Sequence, residues 1–266
     1  MVPEAHAGRP MTDRAFGGAL WLRYSHVVPY QKHPVFTPVG EGTLIWRYID
    51  FTKLVSMLAE RALFFCRSDL LEDRFEGSIS RASLRLRDGL APELPPEQRD
   101  RMWKQLSEFR KTMPKRTFIN AWSMGRYESV ALWRLFVGDR DGVAIRSTFG
   151  RLTQSLGAYE KPIFVGSVNY IDYDVDPIPE GNMLHPFVCK RKSFDYEREL
   201  RAVIQDLAVG SEPGLQIPCD LDVLVTAIRV SPASDSWFVA LVSSVLKTYG
   251  LNVPVEQSDL LDEPVY

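Results

Sequence analysis

Two short stretches hold most of the side chains that could do chemistry. The first, Arg67-Ser68-Asp69-Leu70-Leu71-Glu72-Asp73-Arg74-Phe75-Glu76-Gly77, places four carboxylates directly behind an apolar run. A loop leaving a buried strand is held by the sheet while its side chains stay accessible, which suits binding or catalysis by Asp73 and Glu76; the competing reading is a solvated turn with capping carboxylates. The second is Phe194-Asp195-Tyr196-Glu197-Arg198-Glu199-Leu200-Arg201-Ala202-Val203-Ile204. Read as an extended strand, it sets Glu197, Glu199 and Arg201 on one face and Tyr196, Arg198 and Leu200 on the other. Two carboxylates then project together, which suits general-base work or stabilisation of a developing cation. The competing reading is a half-exposed edge strand with cross-strand ion pairs. Just upstream, Lys190 and Lys192 flank Arg191 in a basic cluster that could bind phosphate groups or neutralise the adjacent acids.

A third segment, Ala121-Trp122-Ser123, ends an apolar run. Ser123 there either caps the next helix or touches a ligand, and Trp122 either fills the core or forms an aromatic wall. The four histidines, His6, His26, His33 and His185, contain no i, i+4 pair, and no Gly-rich phosphate loop is present. Zinc enzymes, Ser-His-Asp hydrolases, P-loop NTPases and standard dinucleotide-binding folds are disfavoured on that ground, and no metal-ligand set is assigned.

The elements that must position these groups follow from periodicity. Leu44 to Tyr48 is β-prone, Asp50 can cap a helix carrying Phe51, Leu54, Val55 and Leu58 on one face, and Leu63 to Cys66 is a second strand. Residues 80–115 are charged and contain Pro92, Pro95 and Pro96. They read as a helical insertion whose stripe of Met102, Trp103, Leu106 and Phe109 is expected to face the core. Strands are expected at Thr117 to Ser123, Val143 to Ile145, Ile163 to Tyr170 and Leu200 to Ile204, with a short helix through Val130, Trp133 and Val137. The chain then ends strand, helix, strand, the helix bearing Phe238, Leu241, Val242, Val245, Leu246 and Tyr249 and stopping at Gly250. Strands interrupted irregularly by helices predict an α+β fold: a mixed, mostly antiparallel sheet with flanking helices and the insertion around residues 80–115. Residues 1–42 lack periodicity and are expected to be a loosely ordered arm, with a single domain over 43–266.

Composition bounds the function classes. A chain of 266 residues, 45% hydrophobic and 25% charged, can bury a full core, and 32 Lys+Arg against 34 Asp+Glu give no global field for nucleic acid or anionic membrane. The widely spaced Cys66, Cys189 and Cys219 suggest reduced thiols, and no apolar run reaches the roughly 18 residues needed to span a bilayer. The expectation is a cytoplasmic protein.

The order of motifs from Leu44-Ile-Trp-Arg-Tyr48 through the acidic loop, Ala121-Trp-Ser123, Leu132-Trp133, Gly142-Val-Ala-Ile145, Val168-Asn-Tyr170 and Lys192 to Arg201 resembles the bacterial domain-of-unknown-function family numbered 2971. The resemblance covers most of the chain from about residue 44 onward. The family's acidic loop usually reads Asn-Asp-Pro-Phe-Glu, where this chain has Glu72 to Glu76, and a His that the family often carries beside the segment Leu132 to Gly142 is missing here. That family transfers no activity. A second resemblance does: Arg47 on a first strand with Tyr48 beside it, Ser123 ending a middle strand and Glu197-x-Glu199 opening a later one are similar in order to elements of ADP-ribosyltransferases. The resemblance implies NAD as a substrate, its phosphate held by Arg47, its nicotinamide ribose strand supported by Ser123, and an oxocarbenium-like centre stabilised by Glu199. One pocket is expected to gather Arg47, the acidic loop and the Glu197 to Arg201 strand around a nucleotide-like ligand. Two other classes compete. One is a Mg2+-dependent nuclease, with the acidic loop and Glu197 or Glu199 holding the cation and Lys190 or Lys192 stabilising phosphorane charge. The other is a non-catalytic sensor or partner-binding module that uses the charged strand as a recognition edge.

Overall fold

A computed structural model describes residues 30–37, 39–138, 141–157, 159–208, 211–264 and 266. In chain order the first elements are β1 (Tyr30–Gln31), β2 (Leu44–Asp50), α1 (Phe51–Glu60), β3 (Ala62–Arg67), α2 (Arg81–Leu86), α3 (Pro96–Thr112), β4 (Thr117–Met124) and α4 (Val130–Phe136). There follow β5 (Gly142–Thr148), α5 (Phe149–Ser155), β6 (Ile163–Ser167), β7 (Asn169–Ile171), β8 (Cys189–Arg191) and β9 (Glu199–Gln205). The last are β10 (Gly214–Pro218), α6 (Leu221–Leu224), β11 (Ala227–Val230), α7 (Ser236–Thr248) and β12 (Val255–Gln257). The strands form one large mixed sheet in the order β1-β6-β9-β4-β2-β5-β11-β12, with β3 and β10 joined to it through β4; β7 and β8 pair separately. Among the described strands of the large sheet only β1 with β6 and β11 with β12 run parallel. The fold is therefore α+β with a mostly antiparallel sheet and flanking helices.

The feature that matters for the site is a fork at β4. On one side β4 pairs with β9 along its length, from Thr117↔Gln205 to Ser123↔Glu199. On its other side the early residues Phe118 and Ile119 pair with Arg67 and Cys66 of β3, while the late residues Ser123 and Met124 pair with Trp46 and Ile45 of β2. Strands β2 and β3 thus part around Asn120 to Trp122, because α1 connects them and buries Leu54, Met57 and Leu58 in the main core. The local sequence drives this: Asp50 accepts the Lys53 N–H as the N-cap of α1, and Arg61 takes a left-handed conformation (φ 45°) to end it. Backbone acceptors left unpaired by the fork are taken by side chains, Asn120 donating to the Phe64 carbonyl at 2.9 Å and Arg47 to the Ala121 carbonyl at 3.3 Å.

Several expectations change in detail. Residues 1–29 of the expected arm lie outside the described residues, but its later part is built in: β1 pairs with β6, and Phe36 is buried in a cluster with Ile119 and Val203. The expected strand Ile163 to Tyr170 is two strands in different sheets, β6 and β7, broken at Val168. The insertion stripe is only partly covered, with Phe109 44% exposed, and the side chain of α3 that is buried is Arg110. An ion partner outweighs the apolar stripe there, since Arg110 reaches Glu180 of the 172–188 segment. The C-terminal helix forms as expected, stopped by Gly250 at φ 76°, although Leu241 and Tyr249 stay partly exposed and the face that packs is Phe238, Val242 and Leu246.

Candidate functional site

The fork opens a cavity of about 630 Å3, within the usual range for small-molecule sites. Helix α1 contributes Lys53, Ser56 and Met57 to its lining, and aromatic rings of Trp46, Phe64, Trp122, Phe136 and Phe194 contribute apolar surface. The expected residues Arg47, Tyr48, Asp73, Glu76, Trp122, Ser123, Lys190, Glu197, Glu199 and Arg201 all line this one cavity. Lys192 does not; it is exposed and pairs with Asp176 at 3.7 Å.

The centre of the site is a chain of buried ions. Arg201, 1% exposed, directs its Nε and Nη2 to Glu199 at 2.6 and 3.0 Å and its Nη1 and Nη2 to Glu76 at 2.8 and 2.5 Å. Nη1 also donates to the Phe187 carbonyl at 2.9 Å, so every N–H of this guanidinium has an acceptor. Lys190 donates to Glu197 at 2.5 Å and to Glu199 at 3.2 Å, with its ammonium 4.7 Å from the Phe194 ring. Glu199 therefore meets two cations through both oxygens, and its backbone N–H donates to the Tyr170 hydroxyl at 2.8 Å.

These contacts sort the three carboxyls. Burial pushes the Glu199 carboxyl up, but Arg201 and Lys190 outweigh it and hold the group below the ordinary carboxylate value. Burial prevails at Glu76 and at Glu197, whose carboxyls lie above it. Glu197 differs from the others in geometry too: Lys190 takes Oε2, and Oε1 has no hydrogen-bond partner among the described residues.

Glu197 reaches this place by a route the strand reading did not anticipate. It ends a 3-10 turn over Lys192–Glu197, and Arg198, in a left-handed conformation (φ 44°), swings the chain into β9. The two carboxylates converge because both seek Lys190, not because they share one extended face. Nor is β9 an edge strand; it lies between β6 and β4 with every residue from Glu199 to Ile204 buried. Ser123 donates its hydroxyl to the Glu197 carbonyl at 2.8 Å and so pins the turn.

The acidic loop closes the site from the other side. Asp73 accepts the Phe75 N–H at 3.0 Å and an Arg191 N–H at 2.7 Å, and the Arg191 guanidinium lies 4.2 Å over the Phe75 ring. At Gly77 the chain turns at φ 72°, and an added Cβ would come within 2.5 Å of the Phe187 ring, so only glycine fits. Among the described residues Arg47 has no carboxylate partner; its guanidinium meets the Ala121 carbonyl and lies 5.9 Å from the centre of the Trp122 ring. Burial draws its pKa down to about 10, which leaves it cationic at neutral pH. Tyr48 lines the cavity, but its hydroxyl accepts the Ser129 N–H and its ring stands edge-on to Trp133. Trp122 is core, its indole N–H donating to Asn120 at 2.7 Å.

Residues that the sequence reading missed are Arg191 as the partner of Asp73, and Phe64, Cys66, Phe136 and Phe194 in the lining. Of these only Arg191 and Phe194 carried a signal, since they lie inside the charged segments singled out for chemistry. Among the described residues no group of three or more His, Cys, Asp or Glu is placed to hold a metal ion, the carboxylates here being engaged by Lys and Arg. No helix among them is long and apolar enough to cross a membrane. In comparison with known proteins, no protein-family model, no curated protein and no solved structure matched this chain.

Proposed function

We propose that the forked cleft binds NAD and catalyses ADP-ribosyl transfer, with Glu197 as the catalytic carboxylate. The observation that carries this reading is the pairing, within one cavity, of a cation and a carboxylate oxygen that both lack an ionic or donor partner among the described residues, Arg47 and Glu197 Oε1. A ligand that satisfies both must bring an anion and a centre of positive charge. NAD does, through its diphosphate and its ribose-linked nicotinamide ring, and the aromatic lining suits its flat rings.

In the reaction the bond between the nicotinamide nitrogen and ribose C1′ breaks, and nicotinamide leaves with the electron pair. The acceptor nucleophile then bonds to C1′ and gives up its proton. The cationic ribosyl centre exists only on the way to the transition state, so a fixed carboxylate beside it stabilises that state above the ground state. Glu199 is a positioning residue in this scheme, its charge already balanced by Arg201 and Lys190, and it orients Lys190 against Glu197. Ser123 supports the same turn from the neighbouring strand.

Calorimetry with NAD and an assay of nicotinamide release test the reading. Glu197→Gln should keep NAD affinity and lose release by about a hundredfold or more, the scale of a lost transition-state interaction. Arg47→Ala should weaken NAD binding by about tenfold, as removal of a charged hydrogen bond does. A wild-type chain that neither binds NAD nor releases nicotinamide ends the proposal.

A further inference from the structure

A second cavity, of about 320 Å3, lies beside the helical insertion, and Glu76 at the end of the acidic loop borders both cavities. Its wall carries Arg87, Ser107, Arg110 and Lys111. Both arginines are nine-tenths buried or more, at 8% and 7% exposure. They converge on one carboxylate, Glu180, which is not itself part of the lining. Arg87 gives Nε and Nη2 to its two oxygens at 3.1 and 3.0 Å, and Arg110 gives Nη1 to Oε2 and Nη2 to the Glu180 carbonyl at 3.1 Å. Arg87 Nη1 donates to Ser107 at 3.1 Å, and Trp103 stacks under Arg87 at 4.9 Å.

Two buried positive charges thus share one negative charge, and their donors outnumber the acceptors at hand. A guanidinium carries about five N–H donors. Among the described residues Arg87 commits three and Arg110 two, and Arg110 Nε is buried with no hydrogen-bond partner. The carboxylate that does line the wall, Glu76, is chelated by Arg201 through both oxygens. Lys111 at the rim is exposed and meets Glu108 at 2.7 Å. A buried surplus of both charge and N–H donors calls for a ligand rich in acceptor oxygens, and arginine forks match phosphate oxygens in pairs.

We propose that this second cavity is a binding site for a small phosphate, carried as the free ion or as a phosphomonoester. Arg87 and Arg110 hold its oxygens, Ser107 keeps the Arg87 fork in place, and Lys111 draws the anion to the mouth.

Inorganic phosphate and glycerol phosphate, titrated separately into the full chain at constant ionic strength with chloride as the balancing anion, test the site by calorimetry and thermal melting. Each should bind saturably and raise the melting temperature. Tighter binding of the ester assigns a phosphorylated small molecule, and equal or tighter binding of inorganic phosphate assigns the free ion; no saturable binding of either overturns the proposal. Arg110→Gln should weaken binding by at least about tenfold, the loss expected for a charged hydrogen bond. Should that variant not fold, Lys111→Glu decides, because it reverses a charge at the exposed rim and leaves the buried cluster intact; severalfold weaker binding supports the site and unchanged binding overturns it. Repeating the titration in Arg47→Ala separates the two cavities: unchanged affinity keeps the phosphate in the second, and lost affinity places it in the first and overturns the proposal.

Discussion

Two buried ion clusters lie on either side of the acidic loop, and their charge balances are opposite. Around β9, three carboxylates, Glu76, Glu197 and Glu199, share two cations, Lys190 and Arg201. Under the insertion, two arginines share the single carboxylate Glu180. Among the described residues, in the first every guanidinium N–H is used and one carboxylate oxygen is left over; in the second both carboxylate oxygens are engaged and guanidinium donors are left over. A buried ion pair that is complete serves mainly structure, and its net stabilisation is small because desolvation offsets attraction. What an incomplete cluster leaves unmatched is what a ligand can use. Each cluster thus combines groups whose hydrogen bonds are complete with groups left holding unmatched hydrogen-bonding capacity.

The largest effect should come from Arg201→Met, which leaves the buried Glu76 without its cation and the buried Glu199 with Lys190 alone. A loss of about 3–5 kcal/mol in chemical denaturation is expected, the cost of breaking a buried pair from one side. A loss below about 1 kcal/mol would put this network with exposed pairs and undo the distinction. Glu180→Gln should cost about 3 kcal/mol by leaving Arg87 and Arg110 to repel each other. Here the clusters should diverge, because phosphate at a hundredfold excess over its Kd returns about 2.7 kcal/mol to a site that binds it. Phosphate should rescue Glu180→Gln and leave the loss in Arg201→Met in place; equal rescue of both would erase the contrast. The smallest effect belongs to a carboxylate outside both clusters. Asp50→Ala should cost about 1 kcal/mol, as loss of a helix N-cap does. Burial works against the Asp50 carboxylate, but hydrogen bonds from Thr52 and the Lys53 N–H and the Lys53 ammonium outweigh it and draw its pKa down to about 2. A depressed carboxyl contributes its stability above the unfolded-state value near 3.9 and loses it as pH falls. Denaturation of wild type and variant should thus differ above about pH 4 and converge toward pH 2.

Much of the fold was legible because burial leaves a local imprint. The strand at Leu44, the helix after Asp50, the strand at Thr117 and the C-terminal helix follow from periodicity and capping, each of which reports on neighbours a few residues away. The chemistry-bearing segments were legible for a related reason: a run of acids beside an apolar strand stands out in any window. Partner choice was not. Arg110 sits among Met102, Trp103, Leu106 and Phe109, and a stripe reading turns those four inward, whereas the buried side chain is the arginine that Glu180 neutralises from another part of the chain. Lys190 and Lys192 look alike in a basic cluster, yet one bridges two buried glutamates and the other reaches an exposed aspartate.

The amino-acid sequence alone determined which stretches carry charge beside apolar strands, where α1 and α7 begin or end, and that the sheet is interrupted by helices. The tertiary structure decided that β9 is central, that β4 forks to open a cavity, and that among the described residues Glu197 keeps an oxygen without a donor while Glu199 does not. The physical reason is range. Propensity and periodicity act over a few residues, whereas strand order and ion pairing bring Arg201 to Glu76 and Arg110 to Glu180, contacts between segments far apart in the chain whose energy exists only once the whole sheet is assembled.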